Sequence, residues 1–125
     1  MIIKHILLGL RELHQKLIVF GRICLENILM CSLSMIKLGY NKYEEQVPLE
    51  FQSPEMLQGE KITASSDIYA AGVILYRLIY GVLPFSGDSK GKMVKLIKGK
   101  DYNCSYESGI SPLKIVVSKE VKYLV

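Results

Sequence analysis

The sequence predicts a mainly α fold that is interrupted early by one small β-hairpin. Apolar side chains recur at helical spacing over residues 2–16. Residues 68–80 carry a single charge, on Arg77, which favours a long buried helix. Two short apolar runs between residues 28 and 38 favour a pair of strands. With 125 residues, the chain is expected to form one domain.

The first half of the chain supplies one helix and the hairpin. The apolar face of the helix consists of Ile3, Ile6, Leu7, Leu10 and Leu13. An irregular stretch from Val19 to Asn27 follows. Ile28–Met30 and Met35–Leu38 are the two predicted strands. The polar residues 39–52 are then expected to form a loop.

The second half predicts three helical segments. Ser53-Pro54-Glu55 opens a short turn, because proline is favoured at the first helical position after a serine cap. Ser66 is the expected cap of the next helix, which should be buried on all sides and end at Gly81. Ser89–Lys98 has an apolar face and a lysine face, which indicates an amphipathic helix.

Composition excludes several classes of function. The net charge of +4 includes only three arginines, so a nucleic-acid interface is not expected. The three cysteines, Cys24, Cys31 and Cys104, form no C-x-x-C pair, which argues against a zinc site or a disulfide framework. No stretch reaches the ~20 apolar residues of a membrane span. The sequence therefore predicts a cytoplasmic protein that binds neither membranes nor nucleic acid.

Five segments, in order along the chain, carry a family resemblance. They are Leu8-Gly9-Leu10-Arg11-Glu12-Leu13-His14, Leu25-Glu26-Asn27-Ile28-Leu29, Ser53-Pro54-Glu55, Ser66–Tyr76 with its D-x-x-x-x-G pattern, and Gly81-Val82-Leu83-Pro84-Phe85. Together they resemble the C-terminal lobe of eukaryotic protein kinases, closest to the calcium/calmodulin-dependent and related serine/threonine groups. The resemblance covers about residues 2–113. It implies that residues 1–125 are a partial kinase-like domain whose N-terminal lobe is absent.

The resemblance also identifies positions where the catalytic residues have changed. The family's catalytic loop reads H-R-D-L-x-x-x-N, and Asn27 aligns with its asparagine. Arg22 then stands in place of the catalytic aspartate, and an arginine cannot accept a proton from a substrate hydroxyl. Cys24 replaces the loop lysine. Tyr40 occupies the position of the D-F-G aspartate, which binds Mg²⁺ in the family. Two interpretations of Asn27 stay open: a loop asparagine that is hydrogen-bonded to the backbone, which is favoured because one ligand rarely holds Mg²⁺, and a vestigial contact to a cofactor.

Other matching positions have structural roles in the family. They are Ser53, Pro54, Glu55, Asp67 and Gly72. In the family, Asp67 accepts backbone N–H bonds from the catalytic loop. Glu55 pairs there with a later arginine, and none follows Arg77 here. His5 and His14 have no acid nearby in sequence and are expected to be ordinary surface or packed residues.

Three hypotheses about function follow from these residues. The leading one is a catalytically inactive, pseudokinase-like fragment that is not an enzyme, needs no cofactor or metal, and binds another protein through the Ser89–Lys98 helix. The second is a part of a serine/threonine kinase domain that uses ATP and Mg²⁺ and whose N-terminal lobe lies outside this chain. The third is a decayed gene product without a function of its own.

Overall fold

The computed structural model describes residues 2–32, 35–39 and 46–100, and the described part is mainly helical with one small sheet. The elements are α1 (Ile2–Gln15), β1 (Ile28–Ser32), β2 (Met35–Leu38), α2 (Pro54–Leu57), α3 (Ala64–Tyr80) and α4 (Lys90–Gly99), with 3₁₀ turns at Leu25–Asn27 and Leu49–Phe51. The predicted fold class is therefore confirmed as mainly α with one hairpin. The prediction for Tyr40 falls outside the described residues.

α1 packs against α3 and β2 through the face that its apolar spacing predicted, except for Leu7, which is 42% exposed. Ile6 and Leu10, one turn apart, are both completely buried. The helix ends where Leu17 takes a left-handed conformation, with φ of 59°. That residue's side chain is 93% exposed. The chain then turns back toward α3 and leads into the loop at residues 20–27.

The hairpin is antiparallel, with Ile28 opposite Leu38 and Leu29 opposite Lys37. Its register shifts between Met30 and Ser32, which marks a bulge. At the open end of the hairpin, the Gly39 N–H donates to the Asn27 carbonyl at 2.7 Å. The hairpin is thereby joined directly to the loop that precedes it.

Two helix starts show how local sequence sets the boundaries. Ser53 caps α2, because its Oγ accepts a hydrogen bond from the Met56 N–H. Ser66, however, does not begin α3 as predicted: the helix starts at Ala64, with Thr63 as its cap. Ser66 Oγ instead accepts the Thr63 N–H at 3.1 Å from inside the first turn.

The prediction that α3 is buried on all sides was wrong. Its core face is buried and includes Ala70, Ala71, Val73 and Ile74. Ile68 and Leu78, in contrast, are 49% and 39% exposed. In the described part of the chain, α3 makes its main contacts with α1 and with the turn Leu49–Phe51. The low charge therefore predicted an apolar helix correctly, but it did not predict how many faces of that helix pack against other elements.

A second, smaller core joins α2 to α4. Leu57, Phe85 and Met93 are buried together and hold the apolar face of α4. Ser89, which was predicted to be the first residue of this helix, caps it by accepting the Lys92 N–H. Among the helices of the described residues, none combines the length and the low polarity that crossing a membrane requires.

Candidate functional site

The loop from Phe20 to Asn27 is held in place by one buried carboxylate. Asp67, only 1% exposed, lies in the first turn of α3. Its Oδ2 accepts the Phe20 N–H at 2.9 Å, and its Oδ1 accepts the Gly21 N–H at 2.7 Å. Both bonds are charge-assisted and therefore among the stronger hydrogen bonds in proteins. They are of the kind that the kinase resemblance implied for Asp67.

His14 joins the same carboxylate, which corrects the prediction that it has no partner acid. Its Nε2 lies 2.8 Å from Asp67 Oδ2. The two residues are 53 positions apart, so their contact depends on the packing of α1 against α3. No local sequence signal places them together. The shared carboxylate links the end of α1, the loop and the start of α3.

Gly21 takes a backbone conformation that favours glycine. Its φ is +72°, in the left-handed region, and a Cβ there would also lie 3.4 Å from the Ile62 side chain. This conformation directs the Gly21 N–H toward Asp67 just before Arg22. A glycine at this position is thus part of how the loop is shaped.

Arg22 and Asn27 face each other across the loop. The Asn27 side chain is buried, and its Nδ2 donates to the Arg22 carbonyl at 2.7 Å. The Asn27 carbonyl also accepts from Gly39, so this residue connects the loop to the hairpin. The Arg22 side chain is half-buried. The predicted contact between Asn27 and a cofactor stays a prediction, whereas its bond within the loop is part of the structure.

Cys24 lies in the main core rather than at the surface. It is 1% exposed and packs in the cluster that includes Ile23 and Ile74. Burial, together with a hydrogen bond to Glu26, raises the pKa of the Cys24 thiol to about 11. The side chain is therefore a neutral thiol at pH 7. It supplies no positive charge at the position where the family has a lysine.

Glu55 has a different partner from the arginine that the family uses. The Ser66 hydroxyl donates to Glu55 Oε1 at 3.2 Å, and Glu55 is half-buried. Ser53 and Gly72, at the start of α2 and in the middle of α3, are both buried. Pro54 occupies the first position of α2. These residues join α2 to the start of α3, close to Asp67.

The described residues do not form a complete magnesium site. Mg²⁺ is held by several hard oxygen ligands, usually carboxylates, phosphates and water. In residues 2–32, 35–39 and 46–100, no group of three or more His, Cys, Asp or Glu side chains is placed to hold a metal ion. Asn27 alone does not fit that requirement. No chemical step is therefore derived through a metal here.

The α4 helix presents its lysines to solvent. Lys90, Lys92, Lys95 and Lys98 are all exposed, whereas Met93 is completely buried. Asp88 lies 3.9 Å from Lys92, and both side chains are largely in solvent. Such an exposed pair contributes little to stability. The outward face of α4 is therefore strongly basic.

Comparison with known proteins decides the family. The protein kinase domain model matches residues 1–125. This chain belongs to the protein kinase domain family. It is 27% identical over 123 residues, 89% of its length, to serine/threonine-protein kinase N3 of Mus musculus. It is also 35% identical over 94 residues, 65% of its length, to the serine/threonine-protein kinase PknA of Corynebacterium glutamicum.

A further relative supports the same assignment. The chain is 30% identical over 105 residues, 74% of its length, to protein kinase C delta type of Homo sapiens. It spans only 14%, 20% and 16% of the lengths of these three relatives, in the order given. The similarity therefore concerns one part of much longer proteins.

The family match corrects one prediction from the sequence. The expectation that the chain is not an enzyme was wrong, because the kinase domain match and the serine/threonine kinase relatives point to a kinase. That expectation rested on Arg22 and Tyr40. Phosphoryl transfer depends mainly on positioning and electrostatics, so a missing proton acceptor is weak evidence about the class of protein.

Proposed function

We propose that this chain is the C-terminal-lobe part of a serine/threonine protein kinase domain, and that it transfers phosphoryl groups from ATP. Nucleotide binding would need elements from polypeptide outside these 125 residues. The proposal rests on the Asp67 carboxylate, which accepts hydrogen bonds from the backbone N–H groups of Phe20 and Gly21 and so fixes the loop. A loop fixed in this way can position a substrate hydroxyl for reaction.

With Arg22 at the position of the family's catalytic aspartate, the proposed reaction lacks a side chain that accepts the proton. A guanidinium group only donates hydrogen bonds, so it cannot accept the proton of the attacking hydroxyl. A positioned general base contributes about 10²- to 10⁴-fold to a rate. We therefore expect slow transfer, in which positioning remains and proton acceptance falls to water. Arg22 would also attract an anionic substrate segment to the loop.

The test joins the 125 residues to the nucleotide-binding lobe of a relative and measures transfer of labelled phosphate from ATP to a serine-containing protein. Arg22→Asp should raise the turnover by about 100-fold or more, because it supplies the missing base. Arg22→Ala is the matched control, since it removes the cation without adding a base, and it should change turnover by less than about tenfold. The proposal fails if the chimera with Arg22 gives no transfer above background, or if Arg22→Asp raises turnover no more than Arg22→Ala does.

A second role, protein binding through α4, is favoured by the exposed lysines on that helix. We propose that its occupant is an acidic segment of a partner protein, because lysine side chains complement carboxylates. The apolar face of α4 is already used against Leu57 and Phe85, so it is not available to insert into a membrane. Lys92→Glu with Lys95→Glu should weaken binding of a poly-glutamate peptide by about tenfold. Unchanged binding would refute this role.

A further inference from the structure

Arg22 is attached to a short piece of backbone that is fixed on both sides. On the N-terminal side, the Gly21 N–H donates to Asp67 Oδ1 at 2.7 Å. On the C-terminal side, the Arg22 carbonyl accepts from Asn27 Nδ2 at 2.7 Å. The Arg22 side chain itself is half-buried. Its guanidinium group therefore has a smaller range of positions than that of an arginine on a freely moving segment.

A second cation borders the same part of the loop. Ile62 Cγ2 lies 3.4 Å from the position that a Cβ would take at Gly21. Lys61, the residue before Ile62, is exposed. Arg22 and Lys61 thus adjoin the two residues of this contact. The buried acid beside it, Asp67, already accepts two backbone N–H bonds and contacts a histidine. An anionic group bound here would therefore meet positive charge from two segments.

The chemistry of arginine indicates which anion fits best. A guanidinium group binds carboxylates and phosphates, and its planar fork contacts two oxygens of either group. The two anions differ in basicity, because a phosphoserine has a second pKa of about 6, whereas the pKa of a glutamate carboxyl is about 4. General-base catalysis is most efficient when the pKa of the base lies near the working pH. A phosphate is therefore the anion that can also accept a proton effectively at pH 7.

We propose that Arg22 selects substrate segments that already carry a phosphoserine two residues away from the serine that receives the new phosphoryl group, and that the bound phosphate accepts the proton of that serine. This inference rests on the proposed phosphoryl transfer. In an extended segment, side chains two residues apart lie on the same face, about 7 Å from each other along the chain. A phosphate held at Arg22 would thus lie beside the reacting hydroxyl.

The proposed step balances as follows in atoms and charge. The oxygen of the acceptor serine forms a bond to the γ-phosphorus of ATP, while the bond from that phosphorus to the ADP oxygen breaks. The hydroxyl proton passes to the phosphoserine, directly or through one water, and is then released to solvent. Water accepts the proton only from substrates that lack this phosphate, and these substrates react more slowly.

The binding step is tested with the full 125-residue chain and two fluorescent peptides of the same sequence, followed by fluorescence anisotropy. Both peptides contain an acceptor serine, and the serine two residues later is phosphorylated in only one of them. The phosphorylated peptide should bind at least about tenfold more tightly, because a hydrogen bond to a charged group has an effect of that order. Arg22→Ala should remove this preference. Arg22→Lys should keep part of it, since the charge remains but the planar fork is lost.

Lys4→Ala is the matched control for the loss of one positive charge. Lys4 is exposed and lies on α1 ten residues, about 15 Å, before His14, which contacts Asp67. This variant should change the Kd for the phosphorylated peptide by less than about threefold. Circular dichroism checks that Arg22→Ala is folded, which is expected because the side chain at position 22 takes no part in the bonds of Asp67 and Asn27.

The proton step is tested in the fusion to a relative's nucleotide-binding lobe, with the same two peptides and a third that has glutamate in place of the phosphoserine. Transfer to the phosphorylated peptide should be at least about tenfold faster than transfer to the unphosphorylated one. Its rate should also rise as the pH passes through about 6, the second pKa of the phosphate. The glutamate peptide should gain less than about threefold, because its carboxylate is a weaker base.

The outcomes separate this inference from the proposed function. The inference is overturned if the chain binds both peptides equally, or if Arg22→Ala keeps the preference for the phosphorylated one. Equal transfer to both peptides, each above background, overturns the proton step while the proposed function stands. Transfer to neither peptide refutes the proposed function and the inference together.

Discussion

Replacing Asp67 tests whether one carboxylate holds the loop as the structure indicates. In the Asp67→Ala variant, the N–H groups of Phe20 and Gly21 lose their acceptor, and so does His14. Hydrogen bonds to a charged group contribute about 1.5–3 kcal/mol each. The two backbone bonds alone therefore set a cost of about 3–6 kcal/mol. Water entering the space would reduce it, so we expect a loss of about 3 kcal/mol.

Urea unfolding followed by circular dichroism measures this loss, and the slope with urea shows whether the folded state has changed. For a chain of this size, 3 kcal/mol corresponds to a fall of about 10 °C in Tm. Asp67→Asn should lose less, about 1–2 kcal/mol, because it keeps the shape and one acceptor oxygen.

Asp88→Ala is the matched control, because Asp88 is 86% exposed and its partner Lys92 lies 3.9 Å away. It should cost less than about 0.5 kcal/mol. If Asp67→Ala is no more destabilising than this control, the carboxylate does not hold the loop and the argument fails.

Two further predictions concern backbone conformation and a buried thiol. Gly81 has φ of +76° and nothing within 4 Å of a Cβ, so Gly81→Ala should cost about 1 kcal/mol in urea unfolding from conformation alone. Gly91 lies in α4 and also has open space around its Cβ position, so Gly91→Ala should instead stabilise the protein by up to ~1 kcal/mol. If both variants changed the free energy of unfolding in the same direction, this reasoning would be contradicted. Because the pKa of Cys24 is raised from 9.0 to about 11, a Cys31→Ser, Cys104→Ser variant should react slowly with a thiol reagent at pH 8. The contribution of Cys24 to the stability should be constant below pH 9 and fall as the pH rises toward 11, since the unfolded chain loses this proton first. Rapid reaction of the folded protein at pH 8 would show that Cys24 is not buried.

The sequence was most informative where one residue's chemistry decides a local structure. Ser53 before Pro54 and Gly81 after α3 lie at the boundaries expected of them. The start of α3 was misplaced because three hydroxyl residues, Thr63, Ser65 and Ser66, stand close together there, and each is a residue type that caps helices. Spacing alone does not decide between them, since the choice depends on which backbone N–H groups meet which oxygen.

The site was harder to predict because its contacts join distant parts of the chain. His14 and Asp67 meet only when α1 packs on α3, so neither residue's neighbours in sequence indicate the pair. Glu55 was expected to lack the arginine partner that the family uses, and the Ser66 hydroxyl donates to it instead. In both cases the sequence identified the residue correctly as part of a motif, but tertiary packing supplied a partner that the motif does not name.

The contacts that hold the loop are made by its backbone groups. The conformation of the loop is therefore independent of the chemical properties of its side chains at these positions. Asp67 binds the N–H groups of Phe20 and Gly21, and Asn27 binds the carbonyl of Arg22. None of these three bonds involves the side chain at position 22. A substitution there can therefore change proton acceptance while the frame around it persists. Arg22 therefore did not show that the protein is not an enzyme, because the loop can keep its conformation when the proton acceptor is replaced. Comparing Arg22→Asp with Arg22→Ala tests the effect of a proton acceptor at this position by itself.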